Sequence, residues 1–290
     1  MKTLTESWAD SNRRFEARLA GLYEDHGEPQ GRLFKAMSYS LNAGGKRLRP
    51  FLVYQFCAAC GGREQDADNA ALAIELIHTY SLIHDDLPAM DNDDYRRGRL
   101  TNHKVYGEAM AILAGDGLLT DAFMTLACAP LPADRRVTAV QLLSSEAGPW
   151  GMVGGQALDM LSEERELTEE EVIAIQTRKT GALIRAACCL GVLCGGGTAE
   201  QLEAARKYAD GVGLAFQIRD DVLDVIGDAA KLGKATGVDG NKNTFVRLRG
   251  LEGCEKLISE QTDRACEALS VFPDPGLLSE LAHALAFRDR

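Results

Sequence analysis

Apolar residues recur along the chain with the spacing of one helix after another. Leu33, Met37 and Leu41 are four residues apart, which places them on one face of a helix. The glycine pair at 44–45 ends that helix, and Pro50 stands where the next one would begin. Because alternation of apolar and polar residues is nowhere long enough to predict a sheet, the pattern predicts an all-α fold.

Further helices are predicted over about 69–85, 108–128, 168–194 and 198–225 or beyond. The last two begin with capping boxes, Thr168 with Glu171 and Thr198 with Gln201, in which each side chain caps the backbone N–H of the other residue. The stretch 183–193 is apolar on all sides, as in a helix buried within a bundle. Because no stretch has the composition of a linker, we expect one all-α domain that spans all 290 residues.

Composition and charge exclude several classes of function. Hydrophobic residues make up 46% of the chain, which is enough for a large core. The net charge of −11 argues against a nucleic-acid partner, because phosphate backbones are bound by basic surfaces. Residues 1–18 lack the apolar segment of a signal peptide, and no long apolar run predicts a membrane span. We therefore expect a cytoplasmic protein, whose eight scattered cysteines are free thiols buried in helices.

The clearest chemical signal is an acidic stripe on an otherwise apolar helix. Its members, spaced at i, i+3, i+4 and i+7, are Gln217, Asp220, Asp221 and Asp224. Carboxylates stacked on one helix face repel one another, so their place in an apolar segment favours cations between them. Magnesium typically takes one or two carboxylates together with phosphate oxygens and waters. The alternative, a solvated acidic face, is disfavoured by the apolar flanks.

A second acidic cluster follows another apolar helix and consists of Asp85, Asp86 and Asp91. Pro88 lies between them and should end or kink the helix, which lets Asp91 return towards the aspartate pair. Taken alone, the cluster could be an acidic helix end followed by a loop. A second cluster on another buried helix argues against such a coincidence.

Basic residues lie near both acidic clusters in the sequence. The segment 44–50, Gly-Gly-Lys-Arg-Leu-Arg-Pro, ends at a helix start, where backbone donors and arginine side chains suit a diphosphate. Further basic residues are Arg96, Arg97 and Arg99 after the first cluster, Lys179 beside Thr180, and Lys234 and Lys242 after the second cluster. Each alone could be an ordinary surface charge, but their proximity to the acidic motifs favours an anion site.

These motifs together resemble those of bacterial-type short-chain trans-prenyl diphosphate synthases, most of all the farnesyl diphosphate synthases. The resemblance covers essentially the whole chain and rests on the blocks 44–50, 78–98, 154–159, 179–181 and 216–224. The first aspartate motif has the form DDxxxxD and the second the form DDxxD. The resemblance implies a large bundle of antiparallel helices around a deep central cavity, usually dimeric, so we expect a homodimer.

The resemblance also implies a role for each candidate residue. About three Mg²⁺ ions, held by the two aspartate motifs, would clamp the diphosphate of an allylic substrate. That diphosphate would also contact Arg96, Lys179, Lys234 and Lys242. The diphosphate of isopentenyl diphosphate would be bound by Lys46, Arg49, His78 and Arg97. The developing carbocation would face Thr180, Gln217 and the carbonyl of Lys179.

Product length is expected to depend on Tyr80, which precedes Asp85 by five residues and so lies about 7.5 Å along the helix axis. The same five residues turn the helix by about 140° net, so geometry alone only permits Tyr80 to reach the cavity. The resemblance implies that this aromatic forms the floor that stops growth at fifteen carbons. Ser81, the next residue, is too small to block the cavity.

Three positions depart from the pattern of the family. Leu100 stands where proline is common, and Gly117 stands where alanine is common. The stretch 241–246, Asn-Lys-Asn-Thr-Phe-Val, replaces a more usual GKSTYP-like stretch, which leaves the role of Lys242 less defined. None of the three removes an expected metal ligand.

The remaining alternatives are a geranylgeranyl diphosphate synthase, a class I terpene cyclase, a noncatalytic partner subunit and a structural cation-binding helical protein. A cyclase uses similar metal clusters but needs no second diphosphate site, so Lys46, Arg49 and Arg97 favour the transferase. Noncatalytic subunits typically lose aspartates of the two motifs, whereas all six are present here.

Overall fold

The computed structural model describes residues 2–24, 27–162, 165–232 and 243–288, without the side chains of 227–232. Its helices are α1 (Leu4–Leu19), α2 (Gly31–Leu41), α3 (Leu48–Ala59), α4 (Glu64–Asp85), α5 (Asn102–Tyr106), α6 (Glu108–Ala127), α7 (Ala133–Ala147), α8 (Met152–Leu161), α9 (Glu169–Lys179), α10 (Gly181–Gly195), α11 (Ala199–Leu232), α12 (Phe245–Ala268) and α13 (Gly276–Ala286). A short 3-10 helix covers Leu269–Val271. The predicted all-α fold is confirmed.

Two local predictions differ from the structure. A hairpin of two-residue strands, β1 (Tyr95–Arg96) and β2 (Arg99–Leu100), pairs antiparallel, and such strands are too short to show alternation. The continuous helix expected over about 168–194 is wrong, because it is interrupted at Thr180 between α9 and α10. The Thr168 capping box does open α9, with the Thr168 hydroxyl accepting from the Glu171 N–H.

The centre of the bundle is α10, which packs against α3, α4, α7 and α11. Nearly all its residues are buried, in agreement with the apolar run in its sequence. Gly191 allows the close approach to α3, since a Cβ there would lie 2.5 Å from the Val53 carbonyl oxygen. The bundle core therefore depends on a helix that has no polar face.

The structure also bears on two further expectations, that the cysteines are buried free thiols and that no segment spans a membrane. The eight cysteines are free; five are buried, but Cys128 is exposed. Within the described ranges, one helix, α6, is long and apolar enough to cross a membrane by length and composition alone. In the fold, however, α6 packs along α4 and contributes Ala111, Ala114 and Leu118 to the core.

A buried ion pair fixes the basic loop to the bundle. Arg47 has a left-handed backbone conformation (φ 50°), and its guanidinium turns inward rather than to the cleft. It donates to Glu75 on α4 at 2.7 Å, to Glu16 on α1 at 2.8 Å and to the Leu41 carbonyl at 2.8 Å. The loop is thereby attached to α4, the helix that ends at Asp85.

Loss of one partner should leave a buried charge without compensation. We expect Glu75→Ala to lower the free energy of unfolding by about 3–5 kcal/mol, measured by urea denaturation. The matched control is Glu260→Ala, which breaks the exposed i,i+4 pair with Lys256 and should cost less than about 1 kcal/mol. Equal losses in the two variants would show that the Arg47 pair does not hold the loop.

Candidate active site

The first acidic cluster lies where α4 ends. The backbone N–H of Asp91 donates to the Asp85 carbonyl at 2.9 Å, so the chain does return after Pro88 as the sequence suggested. Asp86 is buried and accepts from Arg96 of the hairpin at 2.6 Å. The cluster therefore forms a compact turn in which one carboxylate already has a cationic partner.

The second acidic cluster lies on α11 and is held by neighbours from other elements. Asp221 accepts from the backbone N–H of Phe245, at the start of α12, at 2.8 Å. Gln217 hydrogen-bonds the same carboxylate, and its Oε1 accepts from the Thr180 hydroxyl at 3.4 Å. The break between α9 and α10 thus places Thr180 against the acidic stripe.

Two adjoining cavities connect these clusters. One, of about 470 Å³, is lined by Asp85, Lys179 and Thr180 among others. The second, of about 580 Å³, is lined by the same Lys179 and Thr180 and by Asp221 and Asp224. The two aspartate motifs, 135 residues apart at Asp85 and Asp220, therefore face one continuous region around the end of α9.

The carboxylates are buried without full compensation of their charge. Burial raises the pKa of Asp85 to about 6, and the opposing attraction of Lys179 is smaller. Burial likewise raises the pKa of Asp86, of Asp220 and of Asp221. Carboxylates whose charged form is disfavoured in this way are stabilised by a bound divalent cation.

The donor set suits magnesium only in part. Among the described residues, no three side chains of the metal-binding types converge closely enough to hold an ion alone. Magnesium ordinarily keeps several waters and shares phosphate oxygens with few protein carboxylates. Separate carboxylates on two sides of a cleft fit an ion that binds together with a diphosphate.

The basic residues form a second group beside the first cluster. Arg49 and His78 line the 470 Å³ cavity, and among the residues that the structure describes the Arg49 Nε is buried without a hydrogen-bond partner. Burial, followed by the charges of Arg49 and Arg97, lowers the pKa of His78 well below its usual range, which keeps the ring neutral. A bound anion would accept a hydrogen bond from the unpaired buried donor, and it would reduce the repulsion between the positive charges.

The hairpin and the basic loop meet at Gly45. Arg97 occupies the turn between β1 and β2 with φ 52° and donates to the Gly44 carbonyl. A Cβ at Gly45, where φ is +133°, would lie 2.8 Å from Arg97 Cζ, so glycine is required there. Lys46, next in the loop, is close enough for its charge to lower the pKa of Asp220 against the effect of burial.

Two polar partners in the site were not expected from the sequence. Asp159 of α8 accepts from the Lys179 ammonium at 2.6 Å, although its block was already part of the family resemblance. Arg288, after α13, pairs with Asp220 and stacks on Phe216 with 3.9 Å between Cζ and the ring centroid. The only signal for Arg288 was the basic character of the chain end. Lys234 and Lys242, expected to bind diphosphate, lie outside the described residues.

The 470 Å³ cavity has both a polar and an apolar lining, and its polar lining includes Asp85, Arg49, His78 and Lys179. Its apolar lining comprises Tyr80, Leu82, Met90, Met152, Val153, Ala157, Met160 and Leu183. Tyr80 and Asp85 line the same cavity despite their different directions on α4, and Ser81 lines it too. Such a cavity suits a ligand with an anionic head and a hydrocarbon tail.

Comparison with known proteins agrees with this geometry. Residues 30–270 match the polyprenyl synthetase family, and the chain belongs to that family. It is therefore an enzyme, a prenyltransferase. It is 49% identical to the farnesyl diphosphate synthase of Micrococcus luteus over 83% of each chain, and 43% identical to that of Bacillus subtilis over 99% of this chain and 98% of the other.

Other relatives are named for different products. Geranylgeranyl pyrophosphate synthase 3 of Arabidopsis thaliana is 48% identical over 85% of this chain and 71% of its own. The crystal structure of a FPP/GFPP synthase from Zymomonas mobilis superposes with a TM-score of 0.89 at 36% identity, covering 97% of this chain and 98% of the other. Overall similarity therefore establishes the family but does not by itself select the product length.

The raised pKa of Asp85 gives a stability test in the metal-free protein. An unfolded aspartate has the lower, ordinary pKa, so the folded state binds the extra proton between about pH 4 and pH 6. The contribution of the Asp85 carboxyl to the free energy of unfolding is therefore present at low pH, and it is lost as the pH rises through about 6. Asp85→Asn, always neutral, should raise the melting temperature at about pH 7 more than at about pH 5.

Thermal unfolding in the presence of a chelator measures this difference. The control is Asp224→Asn, the same substitution at an exposed aspartate of the second cluster, where it relieves no burial of a carboxylate. A gain for Asp85→Asn that is the same at both pH values would contradict the assigned burial of the Asp85 carboxylate.

Proposed function

We propose that this chain is a farnesyl diphosphate synthase. It condenses isopentenyl diphosphate head to tail with dimethylallyl diphosphate and then with geranyl diphosphate, releasing diphosphate at each step. The observation that carries the proposal is the junction at Lys179 and Thr180, where two acidic clusters meet an apolar cavity. A basic group beside the same cavity supplies a second place for a diphosphate.

The allylic diphosphate is assigned to the acidic side of the cleft. Its metal ligands are Asp85, Asp86, Asp91, Asp220, Asp221 and Asp224, for about three Mg²⁺ ions. Arg96 and Lys179 add positive charge there, and Asp159 orients the Lys179 ammonium at 2.6 Å. Lys234 and Lys242 are assigned to the same diphosphate from the family resemblance alone.

Isopentenyl diphosphate is assigned to the basic side of the cleft, with Lys46, Arg49, His78 and Arg97 as its partners. Support comes from the buried Arg49 Nε, which has no acceptor within the described ranges of the chain, and from the loop geometry that brings Arg97 to Gly44. A neutral His78 donates one hydrogen bond without adding to the crowded positive charge. The two substrates would then lie on either side of the first acidic cluster.

The reaction needs stabilised leaving-group charge and a dry cavity. Magnesium supplies Lewis-acid stabilisation of the departing diphosphate. The apolar lining of the cavity excludes water, which would otherwise quench the allylic cation to an alcohol. The oxygens of Thr180 and Gln217, together with the Lys179 carbonyl, face the cation, and the double bond of isopentenyl diphosphate attacks its C1. Loss of a proton from the adduct to the released diphosphate completes the condensation.

Product length is the finer part of the proposal and rests on Tyr80. The residue is buried and lines the cavity with Asp85, and burial raises the pKa of its hydroxyl to about 12. An aromatic ring in the apolar part of the cavity limits tail growth by volume. A geranylgeranyl diphosphate synthase is the second candidate, favoured by the Arabidopsis relative at nearly the same identity.

The assembly and location are proposed as a cytoplasmic homodimer. α6 exposes Ile112 to 44%, Leu113 to 52% and Met124 to 64%, and α7 exposes Val137 to 57%. Large apolar side chains exposed on adjoining helices favour a protein partner, and a second copy of this chain is the one that the family resemblance supplies.

Incubation with Mg²⁺, labelled isopentenyl diphosphate and geranyl diphosphate tests the function. We expect C15 diphosphate as the main product, and a loss of at least about 10²–10³-fold in turnover for Asp220→Ala at unchanged helicity. Near-normal turnover in that variant would overturn the metal assignment. A cyclised hydrocarbon without label would identify a terpene cyclase, and C20 as the main product would identify the second candidate.

Substitution of Tyr80 tests the floor of the cavity. Tyr80→Ala should enlarge the cavity by most of an aromatic side chain and shift the product distribution towards C20 or longer. Products of the wild type and the variant are compared by chromatography after dephosphorylation. The control is Ser81→Ala, which changes a small neighbour in the same cavity and should leave the distribution as it is. An unchanged distribution in Tyr80→Ala would place the floor elsewhere.

A further inference from the structure

His84 lies between Tyr80 and helix α6. It follows Tyr80 by one helical turn on α4, and the two rings meet edge to face, with centroids 5.7 Å apart and planes at 82°. Both rings line the 470 Å³ cavity. An aromatic pair of this geometry restricts the orientation of each ring, so the position of Tyr80 depends on that of His84.

The His84 ring is itself fixed by α6. Its Nε2 is 3.1 Å from the Ile112 carbonyl oxygen, which can only accept, so Nε2 carries the proton and donates. The Asp116 carboxylate lies 3.9 Å from the same nitrogen. The ring is therefore tied to the backbone of a neighbouring helix and not only packed against its own.

Gly115 makes this contact possible. A Cβ added there would overlap the imidazole and lie 2.5 Å from its Cδ2, so any side chain at this position displaces the ring. Because α6 is behind the ring, the displacement must carry it away from α6 and into the cavity that it lines. Gly117, two residues further along the same helix, faces Met37 instead, with its added Cβ 3.0 Å from the Met37 Sδ.

We propose that His84 is a positioning residue for product length. It holds the Tyr80 ring across the cavity, and Gly115 sets how far the imidazole projects. The inference rests on the proposed function, since it concerns the cavity in which the allylic tail grows. It adds to that function a contact between α4 and α6 that helps to set product length. His84, the residue that makes this contact, directly precedes Asp85, the first aspartate of the proposed metal site.

The test is the ratio of C20 to C15 product for variants on both helices, normalised to total product. His84→Ala should raise the ratio by about three- to tenfold, the range that loss of one aromatic pair predicts. His84→Phe, which keeps a ring, should restore a ratio near that of the wild type. Gly115→Ala should act in the opposite direction and increase the share of C10 product released, because the ring moves into the cavity.

Gly117→Ala is the matched control, the same substitution two positions away on the same helix, and should leave the distribution unchanged. In the double variant His84→Ala/Gly115→Ala, the methyl group should have no further effect, because the ring that it displaces is absent. Wild-type distributions in both single variants, or a longer product from Gly115→Ala, would overturn the inference. If the wild type makes no C15 product, the proposed function fails instead, and if Tyr80→Ala does not lengthen the product, the floor lies elsewhere and the inference about His84 is overturned.

Discussion

Burial of charge at one end of the bundle is the constraint on which the site depends. Burial raises the pKa of the carboxylates of Asp85, Asp86 and Asp221, and it lowers the pKa of His78, which lies beside arginines whose charge is only partly compensated. Each group is destabilised in its charged form, and the two signs lie on adjacent parts of one cleft. A ligand of one sign would relieve only half of this cost. A diphosphate that arrives with divalent cations relieves both halves, and this pairing is the physical reason for the arrangement.

The scaffold must tolerate this charge while the cleft is empty, and Glu75 provides the means. It neutralises Arg47 directly, and its charge also stabilises Arg49 and Arg97 from a distance. One basic residue of the loop is thereby used for structure, and the others keep donors available for an anion. On the acidic side, Arg96 pairs with Asp86 and Arg288 pairs with Asp220, and each pair compensates part of the carboxylate charge. Compensation is partial on both sides, so the site can fold without ligand and still bind it.

Local patterns in the sequence were sufficient for the features that involve neighbours along one helix. The acidic stripe followed from its spacing on α11, and the start of α9 from the Thr168 capping box. Features that depend on distant segments were not predictable in this way. Arg288 reaches Asp220 across 68 residues, and Lys179 reaches Asp159 across 20. The inward turn of Arg47 depends on a left-handed backbone conformation that no neighbouring side chain signals.

The reacting end and the floor of the cavity are joined by a single rigid element, α4. Five residues separate Tyr80 from Asp85, which fixes their axial separation at about 7.5 Å. An insertion between them would lengthen the helix by about 1.5 Å but would also rotate the floor by about 100°, out of the cavity. A change of cavity depth therefore comes from the size and orientation of the side chains that line it, on α4 and on the other helices around the cavity. Because such a change needs very few substitutions, relatives named for different products retain nearly equal identity to this chain, 49% and 48%.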